Sequence, residues 1–227
     1  MVKYFITSSG TEMGKTYFLS ALVKMLRESG MNPLALKPVC SGLSEMPHSE
    51  SDPAHLLRAQ GLSVDLENIQ AICPWQYQAP LTPSMAAALE NKEVDLNAIV
   101  AFCERAVQEH TLTFVEGVGG IMAPMTPTQT VLDWVVQLQW PCILVVGSYL
   151  GSISHTLTAL KTLESAGVEA PIVVVNETKD SSVSFEGTLQ ALTPFVGGRD
   201  LIPLRHQQGL ASEALARIIL KSVPETV

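Results

Sequence analysis

The chain has 227 residues, 47% of them hydrophobic and 16% charged, with a formal net charge of −8. That is enough for one large α/β domain with a substantial core, and nothing in composition asks for a second. The acidic balance excludes a nucleic-acid phosphate backbone as main partner but leaves room for a small anionic ligand. The four cysteines, Cys40, Cys73, Cys103 and Cys142, form no C-x-x-C pair. They read as reduced, buried, cytoplasmic thiols rather than a zinc site. No basic n-region precedes the first apolar run, and no stretch nears the roughly 18–20 apolar residues of a membrane span, so neither a signal peptide nor a membrane partner is expected.

In chain order, the first apolar run, 3–7, predicts a strand, and 15–29 predicts a helix stopped by Gly30. A second strand is expected over 33–39, followed by two Ser-, Pro- and Gly-rich segments, 41–52 and 74–84, that read as long loops. Residues 95–109 put Leu96, Ile99, Val100, Cys103, Ala106 and Val107 on one helical face, with Asp95 as N-cap. Strands follow at 111–116, 141–146 and 171–175, with a weaker one near 199–203, and a helix at 153–166 ends at Gly167. Runs such as Cys142-Ile143-Leu144-Val145-Val146 are apolar on both faces, as in a parallel sheet covered on both sides. The expected fold is α/β: three layers, doubly wound, a mostly parallel sheet with helices on both faces, of the P-loop NTPase type. Ligands in such sheets gather at the carboxyl ends of the strands.

Those ends carry the chemistry. After the first strand comes Thr7-Ser8-Ser9-Gly10-Thr11-Glu12-Met13-Gly14-Lys15-Thr16, a small-residue loop running into Gly-Lys-Thr and a helix. Loop N–H groups and the helix N-terminus wrap nucleotide phosphates, the lysine reaches the β/γ-phosphates, and the threonine hydroxyl binds magnesium. The strict pattern wants glycine at position 9, where this chain has Ser9. Lys37, inside an apolar strand, must bring its ammonium to an anion or to the strand's open end. Glu116, after the third strand and before Gly117-Val118-Gly119-Gly120, sits where a P-loop enzyme holds its second magnesium contact. Asn176 offers a donor and an acceptor that suit an adenine edge.

Together these residues resemble the dethiobiotin synthetase family: T-x-x-x-T-x-x-G-K-T at 7–16, K-P-V-x-S-G at 37–42, Ser51-Asp52, E-G-x-G-G at 116–120, L-G-x-I-x-H at 150–155 and V-V-N-E at 174–177. The resemblance covers nearly the whole chain. It implies ATP- and magnesium-dependent ring closure of 7,8-diaminononanoate with CO2, in a cytoplasmic homodimer. It implies ATP contacts at Glu12, Met13, Gly14, Lys15, Thr16, Tyr17, Asp52, Glu116, Gly117, Val118, Gly119, Asn176, Glu177, Pro203, Leu204 and Arg205. Magnesium would fall to Thr16, Asp52 and Glu116, and catalysis to Thr11, Lys15 and Lys37. Lys37 and Ser41 would address the diamine and its carbamate. The turn Gly151, Ser152, Ile153, Ser154 would hold the substrate carboxylate across a dimer interface, with His155 bracing it. The family's loop is close to T-G-T-D-T, so Ser8 and Gly10 depart from it. If position 8 needs a positive φ, Ser8 costs on the order of 1 kcal/mol. The alternative reading, a regulatory or partitioning P-loop ATPase, would carry a second lysine early in the loop, and positions 8–11 hold none.

Overall fold

The computed structural model describes residues 2–45, 47–206, 210 and 218. Its elements run β1 (Val2–Ser8), α1 (Lys15–Glu28), β2 (Leu34–Leu36), β3 (Val39–Cys40), α2 (Asp52–Ala59), α3 (Leu66–Ile72), β4 (Trp75–Gln76) and α4 (Pro83–Leu89). Then follow α5 (Leu96–Glu109), β5 (Leu112–Glu116), α6 (Val131–Leu138), β6 (Cys142–Gly147), α7 (Ser152–Ser165), β7 (Ile172–Asn176), α8 (Phe185–Leu192) and β8 (Asp200–Leu204). The main sheet has six parallel strands in the order β2-β5-β1-β6-β7-β8. The order turns back at β1, so the crevice beside its carboxyl end is the expected ligand position. Strands β5 and β6 are buried at every residue, which both faces of the sheet must be covered to achieve.

α1 illustrates why the sequence folds this way. Phe18, Leu19, Leu22, Val23 and Leu26 form its buried stripe, and Gly30 lies beyond its end with φ 82°. The helix packs against α2 and against β1, β2 and β5. At α5 the expected cap is present: Ala98 N–H donates to Asp95 Oδ1 at 3.0 Å.

The single strand expected over 33–39 is two strands. Leu34–Leu36 pairs with β5 in the main sheet, whereas Val39–Cys40 pairs with Trp75–Gln76 in a separate two-stranded ribbon. Pro38 has no N–H to donate, and the Lys37 N–H leaves the sheet to reach the Ile72 carbonyl at 3.1 Å. The break turns the Lys37 side chain to the carboxyl edge. The segments expected as loops also hold structure: a 3-10 turn at His48–Glu50, the strand β4 and the start of α4. All four cysteines are buried and free of disulfides. Among the described residues no helix is long and apolar enough to cross a membrane.

Candidate active site

A cavity of about 700 Å³ opens at the carboxyl ends of β1, β2 and β5. Thr11, Glu12, Met13, Gly14, Lys15, Thr16, Lys37, Ser41, Asp52, Glu116, Val118 and Gly119 all line it, so the structure brings most of the expected residues to one place. The loop's backbone demands lie at Glu12, with φ 60°, and at Gly14, with φ 89°. A side chain at Gly14 would collide with the Asn176 amide, which donates to the Met13 carbonyl at 3.1 Å. Ser8 is not among the positive-φ residues, so the strain expected there is absent. It is ordinary strand backbone at the end of β1.

The polar centre is compact and buried. Lys37 Nζ donates to Glu116 Oε1 at 2.6 Å and to the Gly117 carbonyl at 2.9 Å, and lies 3.2 Å from Asp52 Oδ2. Burial alone would depress this lysine, but Glu116 and Asp52 outweigh it and hold the ammonium protonated well above its usual range. Lys15 is the opposite case: burial first, then repulsion from Lys37, pulls it down to about 8 against the attraction of Glu116 and Asp52. Its ammonium donates to the Gly119 carbonyl at 2.7 Å and to Ser8 Oγ at 3.0 Å. Although burial opposes it, the Asp52 carboxyl is held low by Lys37 and by the Thr16 hydroxyl. That hydroxyl donates to Glu116 Oε1 at 2.7 Å. Burial pushes Glu116 up despite Lys37, and Asp52 adds to the push.

Thr16, Asp52 and Glu116 thus converge, and they fit a hard divalent cation. Glu116 Oε2 is buried with no hydrogen-bond partner, an orphaned carboxylate oxygen that a cation would satisfy. Among the described residues no group of three His, Cys, Asp or Glu side chains could hold a metal. A cation on this trio would therefore need phosphate oxygens and water to complete its shell, the habit of magnesium.

The remaining expected contacts fall into two groups. At the carboxyl ends of β7 and β8, Pro203 and Leu204 pair in register with Val175 and Asn176. Glu177 donates its N–H to the Leu204 carbonyl at 2.9 Å and accepts from His206 N–H at 2.8 Å. Arg205 is committed to Glu186 at 2.8 Å and to the Phe185 ring at 5.0 Å. Tyr17 is exposed on α1. Gly117 accepts from Lys37 through its carbonyl and donates its N–H to the Ile6 carbonyl at 3.0 Å.

The Gly151–Ser154 turn does not line the cavity. It opens α7, with Gly151 at φ 95° and Ser152 Oγ buried without a partner. His155 braces it through Tyr149, 2.8 Å from the phenol oxygen to Nδ1. Sequence reasoning also missed a wall of the cavity formed by Pro80, Leu81, Pro83 and Met85. Pro80, Leu81 and Pro83 lie in the 74–84 segment that looked like plain loop, and Met85 follows it in α4, where no periodicity marked it.

Fold and site together define an α/β enzyme of the P-loop NTPase class. A hydrogenase maturation factor from Archaeoglobus fulgidus shares the fold, with a TM-score of 0.60 at 12% identity, covering 98% of this chain and 91% of its own. An AAA domain family model matches residues 2–213. ATP-dependent dethiobiotin synthetase from Methylobacterium nodulans is 44% identical over 211 residues, which are 90% of this chain and 94% of that protein. The Caulobacter sp. enzyme of the same description is 41% identical over 225 residues, 98% of this chain and 96% of its own. The chain belongs to the ATP-dependent dethiobiotin synthetase family, and it is an enzyme, a ligase.

Proposed function

We propose that the chain is a single P-loop domain that closes the ureido ring of dethiobiotin from 7,8-diaminononanoate, CO2 and ATP, with magnesium, in the cytoplasm. The observation that carries this reading is the convergence of Lys15, Lys37, Thr16, Asp52 and Glu116 on one cavity in a chain of this family. One amine captures CO2 as a carbamate and releases a proton. The carbamate oxygen attacks the γ-phosphorus and ADP leaves. The second amine then attacks the carbonyl carbon, and phosphate departs as the ring closes.

The nucleophile is already anionic, so the chain has little need of a strong base. It must overcome repulsion between two anions, and it does so with charge and position. Lys15 faces the β/γ-phosphates, Lys37 and Ser41 the carbamate, and the Thr11–Thr16 N–H groups the transferring phosphoryl oxygens. Thr16, Asp52 and Glu116 would hold magnesium, whose charge offsets that of the phosphates. Asn176, beside the Met13 carbonyl, borders the base.

The substrate carboxylate lies at the far end of an apolar chain, and the apolar wall of Pro80, Leu81, Pro83 and Met85 suits that chain. The α7 turn offers a helix N-terminus and the unpartnered Ser152 hydroxyl, but it does not line the Lys37 cavity of its own chain. The working unit is therefore a homodimer in which the turn of a second copy receives the carboxylate. Incubating the pure protein with diaminononanoate, bicarbonate, magnesium and ATP tests the reaction. Dethiobiotin, ADP and phosphate should form in equal amounts, and ATP hydrolysis without dethiobiotin would refute it.

A further inference from the structure

Ser8 is the last residue of β1 and is fully buried at the foot of the phosphate loop. Its hydroxyl has one proton and two carbonyls to give it to, Gly10 at 2.7 Å and Gly119 at 2.9 Å. Whichever it chooses, an oxygen lone pair remains for a donor, and Lys15 Nζ stands 3.0 Å away. The Gly119 carbonyl, 2.7 Å from the same nitrogen, closes a triangle of Ser8 Oγ, Lys15 Nζ and Gly119 O. Two of the ammonium's three protons are thus committed to the loop's base, leaving one for the cavity that Lys15 lines.

The same residue joins the two segments that carry charge to the phosphates. The Ser8 carbonyl accepts from Ile121 N–H at 2.9 Å, its hydroxyl reaches Gly10 in the phosphate loop, and Gly120 packs closely on Gly10. The 116–120 segment also delivers Glu116 and the Gly117 carbonyl to Lys37.

We infer that Ser8 is a positioning residue for Lys15: its hydroxyl fixes the ammonium between the phosphate loop and the Gly117–Gly120 segment, at the wall of the cavity. The role rests on the P-loop reading of the site but not on the identity of the amine substrate. The hydroxyl stands where the family loop pattern has glycine, so this anchor is a feature of this chain. Charge-assisted hydrogen bonds of this kind are the strong ones, and a misplaced cation acts mainly on the transition state.

The test has two independent readouts. In nucleotide-free protein, a slowly exchanging Lys15 ammonium resonance should be visible by 15N NMR, assigned by its loss in Lys15→Ala. Ser8→Ala should broaden it away, and Ser8→Thr, which keeps the oxygen, should retain it. In turnover, Ser8→Ala should lower kcat about tenfold with KM for ATP changed less than about twofold, and Ser8→Thr should stay within about threefold of the parent. Ser8→Cys, of nearly the same shape with a poor acceptor, should behave as Ser8→Ala and separates acceptor loss from packing. An ammonium signal indifferent to Ser8→Ala, or a kcat unchanged by Ser8→Ala and Ser8→Cys, overturns the assignment. So does an equal loss in Ser8→Thr. The NMR readout needs no substrate, so failure of the ring-closure reading and failure of this one are told apart.

Discussion

The phosphate-loop centre and the α7 turn are both polar, both near the carboxyl edge of the sheet, and built to opposite rules. At the centre nearly every charge is answered within the chain: Lys37 has three oxygen partners, Lys15 two, and Thr16 reaches Glu116. At the turn, Ser152 Oγ is buried and unanswered, and residues 151–154 are not part of the Lys37 cavity's lining. A buried hydroxyl left without a partner costs roughly 1–3 kcal/mol, which favours our proposal that a ligand reaches the turn. The centre places its positive charges through contacts within the chain and leaves Glu116 Oε2 as a buried acceptor for a cation. On the proposed function, the comparison separates residues assigned to phosphate chemistry from residues assigned to the substrate's far end.

The sharpest way to break that division is at Lys15. Lys15→Ala removes the charge facing the β/γ-phosphates and should cut kcat by about a thousandfold or more with the fold intact by circular dichroism. Near-normal turnover would remove the loop from the chemistry. Lys37→Met should be severe in both activity and stability. It leaves Glu116 and Asp52 without their cation, and denaturant unfolding should register a loss of about 3–5 kcal/mol, as expected when one partner of a buried pair is removed.

Ser152→Ala probes the other region. It should raise KM for the diamine about tenfold while KM for ATP stays put, since a lost carboxylate contact weakens binding of that end alone. Its stability should not fall, because the hydroxyl has no partner to lose. A change in KM for ATP would erase the distinction between the two regions. The smallest effect belongs to a position outside both. Asp95→Ala removes the α5 cap and should cost about 1 kcal/mol by denaturation with no change in kinetics.

Much of the finished centre was legible in the sequence, because its parts lie directly after apolar runs and carry residue types with one chemical use. Gly14-Lys15-Thr16 and Glu116 are of this kind, and Lys37 announced itself as a lysine that an apolar strand cannot bury alone. The break that aims Lys37 was harder to read. Leu34 through Val39 is apolar enough for one strand, and only the missing N–H of Pro38 divides it. The helices α2, α3, α4, α6 and α8 are 7 or 8 residues long, too short for a periodicity to declare itself. Their caps were nonetheless written locally, as in Asp65 to Asn68 and in the Thr130–Asp133 box. Ser8 read as a possible source of strain. Its hydroxyl donates to the Gly119 carbonyl, 111 residues away, a contact that no local pattern reveals.

The division between the two regions predicts that one active site takes its centre from one chain and its turn from another. Lys15→Ala and Ser152→Asp variants, each inactive alone, can be mixed in equal amounts under conditions of demonstrated subunit exchange. Half of the dimers then carry both lesions in one site and neither in the other, so activity should return to about a quarter of the parent's in a two-fold dimer. No recovery despite exchange would contradict the account, placing the centre and the turn of each site in a single chain.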